Sequence, residues 1–464
     1  MNNNVIPSHP DIGLNAAAQP LTRSASGRHP KVFIKTFGCQ MNTRDSEVMA
    51  GLLQKEGFEL VDEPALADVA LVNTCSVRKH AEDRAYGTIW ELKKIKKKNP
   101  ALLIGVLGCM AEKEKENIFR QAPHVNIIAG PHSFYRLPEM IKSLKDNSGK
   151  VMATDTGGEP FISESIARRV NPYQAWISVI RGCNNFCSFC IVPYVRGREK
   201  SRPQEEILET VKALAKEGVK EVTLLGQNVL SYGKDLKDTD FVNLLEEINE
   251  ISAIERLRFI TAHPKDVNLK FIDAQAHLSK VCEHLHLPLQ SGSDRMLKMM
   301  NRGYTRNNYL EIIQNVRKIM PEAGITSDII VGFPGETEED FLKTKELLKE
   351  VQFDNAFIFK YSPREGTRAG KSEDSVPKEI KEKRLAELLE IQEKIAFKRN
   401  KTLEGRGLEV SVEKTGLKDK TKVVGRTRTN KIVVFPAGGD MVGKTVNVLI
   451  EEAGSWRLLG RQID

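Results

Sequence analysis

No stretch of this 464-residue chain approaches the ~18 consecutive apolar residues that a bilayer-spanning helix requires. The opening segment MNNNVIPSHPDIGLNAAAQPLTRSASGRHP has no continuous apolar core either, which argues against a secretory signal. We expect residues 1–28 to be a disordered leader and the protein to be cytoplasmic, with no membrane partner. Cysteine is scarce and odd in number, with seven residues at 39, 75, 109, 183, 187, 190 and 282. That argues against a disulfide framework, and a chain long enough for two or three self-sufficient cores has no need of one. The thiols are better suited to metal binding or chemistry. A dominant charge is missing as well, since 70 Lys plus Arg against 62 Asp plus Glu leave only +8. The excess is concentrated, however. Residues 398–464 hold fourteen basic against eight acidic side chains, as expected of a surface that meets phosphates. An ordinary solvated basic face is the alternative.

From about residue 31 to 144 short apolar runs alternate with amphipathic stretches. Residues 32–37, 68–72, 102–107 and 125–128 are expected as strands, and 45–56, 81–97 and 112–121 as helices. Such alternation argues for a doubly wound parallel sheet. Three strands end alike, in FGC at Cys39, NTC at Cys75 and LGC at Cys109, at intervals of 36 and 34 residues. One βα unit per interval puts all three thiols at the carboxyl edge of one sheet, where open α/β sheets bind ligands. Isolated cysteines are more often plain core residues, a reading that does poorly against three at equivalent turns.

A second α/β series is expected over residues 175–397, with strands at 175–180, 221–225, 257–260, 284–289, 325–331 and 356–361. About six βα units give a partial or full barrel whose loops carry the chemistry. The charged run KEIKEKRLAELLEIQEKIAFKRNK reads as a solvated connecting helix. The glycine-separated segments LEVSVE, TKVVGRT, KIVVF and KTVNVLIEEA have the pattern of a small antiparallel barrel.

The strongest local signal is GCNNFCSFC, in which Cys183, Cys187 and Cys190 form CxxxCxxC directly after the strand-like WISVI. Three thiolates hold three irons of a [4Fe–4S] cluster and leave the fourth open to a small molecule. Zinc is the structural alternative, although no suitably spaced fourth Cys or His follows nearby. With Phe189 before its third cysteine, the motif resembles the signature of the radical S-adenosylmethionine superfamily. The resemblance implies that S-adenosylmethionine chelates the open iron and is cleaved reductively to a 5′-deoxyadenosyl radical. It further implies cofactor contacts at Gly226, Gln227 and Asn228 of LLGQNV, at Gln290 and Ser291 of HLPLQSGSD, and at Gly332 of IIVGFPGE. Each is weak alone, because a glycine after an apolar strand is usually a turn.

The resemblance covers nearly the whole chain. FGCQMNTRDSE, VNTCSVR, GVLGCMAE and CSFCIVPYVRGREKSR, with the small C-terminal β unit, resemble the MiaB-type methylthiotransferases. These act on C2 of N6-isopentenyladenosine at tRNA position 37. The resemblance implies a second [4Fe–4S] cluster on Cys39, Cys75 and Cys109, and S-adenosylmethionine as both methyl donor and radical source. It implies as partners the tRNA anticodon stem-loop, a flavodoxin-type reductant and a sulfur or cluster donor, with a monomeric chain. The boundaries then read 29–146 for the N-terminal methylthiotransferase domain, 147–168 for a linker, 169–398 for the radical core and 399–464 for a TRAM domain. No catalytic residue beyond the cluster ligands is assigned.

Several residues remain open. Cys282 lies in an expected core strand, and burial suits it better than ligation. His284 and His286 could face the barrel mouth or be satisfied core residues. Arg196, Arg198, Lys200 and Arg202 could meet a cofactor carboxylate or RNA phosphate, or form a solvated loop. The rival activities are methylthiolation of threonylcarbamoyl-adenosine in tRNA or of a ribosomal-protein aspartate. From another class, the chain could be a redox-sensing RNA-binding protein with non-catalytic clusters.

Overall fold

The computed structural model describes residues 29–76, 79–144, 149–154, 161–416 and 419–463. The leader expected over 1–28 and much of the expected linker, at 147–148 and 155–160, lie outside the described residues. The chain divides into two compact units. The first holds the described residues up to Val170 together with Trp176–Asn184 and Ile191–Glu199, and the second holds Asn171–Ala175, Asn185–Cys190 and everything from Lys200.

The first unit is built on β1 (Lys31–Thr36), β2 (Glu59–Leu60), β3 (Val69–Thr74), β4 (Leu103–Gly108), β5 (Ile127–Ala129) and β6 (Val151–Ala153), interleaved with α1 (Gln40–Lys55), α2 (Lys79–Lys98), α3 (Cys109–Glu114), α4 (Glu116–Gln121) and α5 (Leu137–Leu144). All pairings are parallel, in the order β2-β1-β3-β4-β5-β6. β3 is buried along its whole length, as a central strand covered on both faces must be. On one face Val48 and Leu53 of α1 and Met140 of α5 pack with Val32, Ile34 and Leu71. On the other, Ile89 and Leu92 of α2 and Ile118 of α4 pack with Val72, Ile104 and Val106. Each such fully buried aliphatic side chain contributes roughly 1.5–3 kcal/mol. The strand order reverses between β1 and β3, the switch point at whose carboxyl ends open α/β sheets bind ligands.

Three sequence expectations need amendment here. α1 begins at Gln40, five residues before the expected start. The helix expected over 112–121 is two helices, broken where Lys115 takes a left-handed φ of 46°. β6, with Val151 and Ala153 packed into the core, lies within the expected linker.

Around the second cysteine motif the chain forms only short pieces: β7 (Gln174–Ser178), β8 (Ile180–Arg181), α6 (Val192–Val195) and β9 (Lys200–Ser201). The second unit continues with α7 (Gln204–Lys216), β10 (Glu221–Leu225), α8 (Phe241–Asn249), β11 (Arg256–Phe259), α9 (Leu269–His277), β12 (His284–His286), α10 (Asp294–Met299), α11 (Arg306–Ile319), β13 (Gly324–Val331), α12 (Glu338–Val351), β14 (Asn355–Lys360) and α13 (Lys378–Lys401). β10 pairs with β11, and β12, β13 and β14 pair in order, all parallel. A parallel bridge from Leu257 to Val281 joins the two sets, giving the partial barrel that the βα alternation predicts. Capping boxes at Thr305 with Asn308 and Thr337 with Asp340 fix the starts of α11 and α12.

α13 is more than a solvated connector. Leu388, Ile395 and Ala396 are buried, and Gln392 donates from Nε2 to Phe353 O at 3.0 Å. Its apolar stripe is narrow because Lys381, Arg384, Gln392 and Asn400 share the buried face, which is why composition made it look solvent-facing. The last five strands, β15 (Gly407–Thr415), β16 (Lys422–Thr427), β17 (Ile432–Pro436), β18 (Thr445–Ala453) and β19 (Leu458–Ile463), close into a barrel in the order β15-β16-β17-β19-β18. Four pairings are antiparallel and the β17–β19 pairing is parallel. Among the described residues no helix is long and apolar enough to cross a membrane.

Candidate metal centres and cofactor site

In the first unit Cys39 precedes α1, Cys75 follows β3, and Cys109 opens α3 directly after β4. All three therefore leave the carboxyl edge of one sheet beside its switch point. Gly38 has φ +118°, and a Cβ there would stand 2.6 Å from Cys75 Cβ, so only glycine lets the Cys39 turn lie against Cys75. Gly108, at φ +88°, would place a Cβ 2.5 Å from Asn73 Oδ1 and from Thr74 O. These close approaches are the physical content of FGC and LGC. Asn42, fully buried, ties the edge together by donating from Nδ2 to Phe37 O at 2.7 Å and Thr74 O at 2.8 Å. Asn73 donates in turn to Asn42 O and Ser46 Oγ, each at 2.9 Å.

The basic run after the second motif divides in a way its sequence does not announce. Arg196 is buried, and its Nε donates to Cys109 Sγ at 3.3 Å while Nη2 reaches Asn42 Oδ1 at 3.1 Å and Asp45 Oδ2 at 3.2 Å. Arg202 is also buried, with Nη2 on Thr210 Oγ1 at 2.7 Å. Of the four, Arg198 and Lys200 alone are exposed to solvent. Burial pushes the Cys109 thiol above its usual range, Arg196 pulls it back, and Cys39 and Asp45 push it up again. Cys39 and Cys109 thus lie within electrostatic reach of each other. His132 is held neutral, near 4, by burial and by Arg196, and its Nε2–H donates to Arg196 O at 3.1 Å.

This edge fits a cluster. A buried thiol that costs energy to ionise is stabilised as thiolate by iron and by the adjacent guanidinium. Among the described residues no three His, Cys, Asp or Glu side chains are close enough to hold a single metal ion. Ligands of separate irons in a cluster stand farther apart than ligands of one ion.

Of the second motif, Cys183 belongs to the first unit and Cys187 and Cys190 to the second. Cys183 N–H donates to Gly197 O at 3.1 Å, and a Cβ on Gly182 would lie 1.9 Å from Arg198 O. Cys190 N–H donates to Cys187 O at 2.9 Å, which puts these two on one turn. Arg302, buried, donates from Nη1 to Cys187 Sγ at 3.2 Å and from Nη2 to Pro288 O at 3.0 Å. Asn301 holds the preceding loop through Asn185 O and Phe186 O. Neither residue was visible as functional in the sequence.

The expected cofactor residues of the second unit follow the carboxyl ends of its strands. Gln227 and Gln290 each keep a buried side-chain carbonyl oxygen with no partner among the described residues, as does Glu336 with one carboxylate oxygen. Such groups cost free energy unless a ligand supplies donors. Gln290 sits at φ +65° and the β-branched Thr261 at φ +72°, strain of the kind that collects at binding sites. Asn228 binds Asp266 and Ser231 through Nδ2, each at 2.6 Å, and accepts from His263 N–H at 3.1 Å. Ser291 is fully buried against Thr344 Oγ1 at 3.2 Å. Gly332, at φ +70°, lies below α13, where a Cβ would meet Lys381 Cγ at 2.3 Å, and its N–H donates to Glu336 Oε2 at 2.6 Å. Gly226 directly follows β10. Phe189 packs on Met296, Met300, Phe333 and Tyr361.

Of the residues left open, Cys282 is buried. His284 bonds Thr326 Oγ1 at 3.0 Å and Asn430 Nδ2 at 3.2 Å, a structural role. His286 bonds the same Thr326 Oγ1 and lies 3.4 Å from Asp328.

Comparison with known proteins points the same way. The family model of the radical SAM superfamily matches residues 177–348, that of Uncharacterized protein family UPF0004 matches 31–130, and that of the TRAM domain matches 401–463. A "tRNA-2-methylthio-N(6)-dimethylallyladenosine synthase" of Thermoanaerobacter sp. (strain X514) is 46% identical over 441 residues, 94% of each chain. The same-named protein of Clostridium botulinum (strain Okra / Type B1) is 47% identical over 93% of this chain and 96% of its own. That of Dictyoglomus thermophilum is 46% identical over 94% and 99%. Among solved structures, the radical S-adenosylmethionine methyltransferase TsrM from Kitasatospora setae, with cobalamin and a [4Fe-4S] cluster bound, aligns with a TM-score of 0.53 at 13% identity, over 74% of this chain and 77% of that one. The cobalamin-dependent radical enzyme OxsB aligns with a TM-score of 0.50 at 14% identity, over 78% and 56%. At these identities the likeness is one of fold.

Proposed function

Because the chain belongs to the tRNA-2-methylthio-N(6)-dimethylallyladenosine synthase family of radical SAM enzymes, we propose that it methylthiolates C2 of N6-isopentenyladenosine at position 37 of tRNA. The observation that carries this reading is identity of 46–47% over at least 93% of the chain to proteins of that one name. The rival threonylcarbamoyl-adenosine and ribosomal-protein activities have no such support among these relatives.

In this reading Cys183, Cys187 and Cys190 hold a [4Fe–4S] cluster, and Cys39, Cys75 and Cys109 hold a second. When bound, the first supplies the electron that cleaves S-adenosylmethionine and the second carries the sulfur to be transferred. The protein's own part is to bind and to orient. The carbonyl oxygens of Gln227 and Gln290, which have no partner among the described residues, would accept from donor groups of S-adenosylmethionine. Gly226, Asn228, Ser291 and Gly332 would shape the turns that hold it, and Phe189, packed against Met296 and Met300, would keep water from reactive species. Residues 29–146 act as the sulfur-carrying domain, 169–398 as the radical core and 399–464 as the tRNA-binding TRAM domain. A cytoplasmic location, a monomeric state, a flavodoxin-type reductant and a separate sulfur or cluster donor complete the proposal.

Mass spectrometry of tRNA nucleosides from cells with and without the gene tests it. Loss of the gene should remove 2-methylthio-N6-isopentenyladenosine and leave N6-isopentenyladenosine in its place. An unchanged nucleoside profile would overturn the assignment.

A further inference from the structure

Most buried arginines of this protein answer carboxylates or backbone carbonyls, and Arg196 does so only in part. Its Nη2 is satisfied by Asn42 and Asp45, yet its Nε is directed at the sulfur of Cys109. Asp45 is shared, since Arg44 Nη1 bonds it at 3.1 Å while Arg44 Nη2 is matched by Glu164 at 2.5 Å. Two guanidinium groups therefore face two carboxylates, and the sulfur bond comes in addition. A neutral thiol gives a buried cation little in return, whereas a thiolate bound to iron is a good acceptor for a charge-assisted hydrogen bond. The arrangement is held from several sides. Asn42 is fixed by Phe37 O and Thr74 O, and His132 holds the Arg196 carbonyl. The guanidinium cannot swing to another partner without breaking this frame.

We propose that Arg196 is a positioning residue of the second cluster, which it poises toward the reduced state by donating a charged hydrogen bond to its Cys109 ligand. Reduction makes an iron–sulfur cluster more negative, and donors to its sulfurs raise the reduction potential by stabilising that charge. Asp45, which accepts from Nη2 of the same guanidinium, fixes its position and moderates its effect. The inference rests on the reading of Cys39, Cys75 and Cys109 as cluster ligands. It adds to that reading a residue outside both cysteine trios.

The test uses the full-length chain with Cys183, Cys187 and Cys190 changed to Ala, reconstituted without oxygen so that one cluster remains, and a redox titration followed by electron paramagnetic resonance. R196Q is compared with this parent. At a fixed solution potential its ratio of reduced to oxidised cluster should be at least tenfold lower, which for a one-electron couple corresponds to ~59 mV. R196K, which keeps the charge but not the fork that serves Cys109, Asn42 and Asp45 together, should show a smaller drop. An R196Q cluster that titrates with the parent overturns the proposal. Should R196Q retain no iron, R196K decides alone: a lowered ratio supports the assignment and an unchanged one overturns it. A parent that fails to bind about four irons would sink the second-cluster reading itself, a result seen before any arginine is changed.

Discussion

Arg256 on β11 reaches Glu409 on β15 at 2.6 Å and donates to Arg426 O at 2.8 Å. The arginine is 3% exposed and the glutamate 48%, so the ion pair itself is worth little, and the larger effect is that a buried cation finds acceptors. Arg258 donates likewise to Thr427 O and Arg428 O, and Arg428 returns to Glu283 and Val281 O. Ending the chain after Thr402 would leave both guanidinium groups short of partners. Truncation should therefore lower the unfolding temperature of residues 169–398 besides weakening tRNA binding. R256Q in the full chain should cost roughly 1–3 kcal/mol, read as faster amide exchange along β11 and β15.

Side chains at the barrel surface give a cleaner probe of tRNA binding. Lys420, Lys422, Lys444, Arg457 and Arg461 are exposed on the C-terminal barrel. Replacing Lys422, Arg457 and Arg461 together by Ala should weaken tRNA binding at low salt and flatten the plot of log affinity against log salt. Each phosphate that is no longer neutralised should reduce the slope by roughly 0.7–0.9. A slope equal to that of the unchanged protein would assign the barrel to a structural or protein-binding role.

The two cysteine trios should fail differently. The unchanged chain, reconstituted anaerobically, should bind about eight irons and each Ala-substituted trio about four. Ala at Cys183, Cys187 or Cys190 should abolish both 5′-deoxyadenosine and methylthiolated product. Ala at Cys39, Cys75 or Cys109 should abolish product while some 5′-deoxyadenosine still forms. Methylthio-adenosine made by a Cys109→Ala enzyme would contradict this division.

Gly38→Ala should behave as a lesion of the Cys39 trio alone. The new methyl group would meet Cys75 Cβ at 2.6 Å in a left-handed backbone conformation, at a cost on the order of 1–3 kcal/mol. Iron content should fall toward four per chain, with Cys187 and Cys190 unaffected. Full iron loading would show that the turn tolerates a side chain.

Glu47 offers a test in pH. Burial raises its carboxyl from an ordinary value of 4.5 to about 7, against the pull of the Val170 N–H at 3.1 Å and of Arg169 and Arg44. The folded state then holds the proton more tightly than the unfolded one. Stability should fall as pH rises from 4.5 to about 7 and stay lowered above, by an amount on the order of 3 kcal/mol. E47Q removes the charge, so it should raise the urea midpoint of the first unit at pH 8 and leave it nearly unchanged at pH 5. Equal effects at both pH values would show that Glu47 is not neutral in the folded protein at pH 5.

The parallel sheet, the partial barrel and the closing β-barrel were all legible, because hydrophobic period and turn glycines are local signals. The carboxyl-edge placement of Cys39, Cys75 and Cys109 followed from three equivalent strand ends. What escaped was non-local. Arg196 lies 87 residues from Cys109 and Arg302 lies 115 from Cys187, and no spacing rule links such pairs. The early start of α1 was hidden because Cys39, at its N-cap, makes no side-chain capping bond. Nor did composition reveal that α13 buries Lys381 and Arg384, whose partners Asp374 and Glu336 come from turns outside the helix.

The four bonds by which Asn42 and Asn73 tie the β1 end to the β3 end pass through amides, carbonyls and a hydroxyl rather than through a thiol. A zinc finger collapses when stripped of its ion because the ion is its core. Here the β1–β3 junction is made without any bound group. A chain bleached by oxygen should keep this junction and accept new iron and sulfide without unfolding, so that a spent molecule is refilled in place rather than discarded.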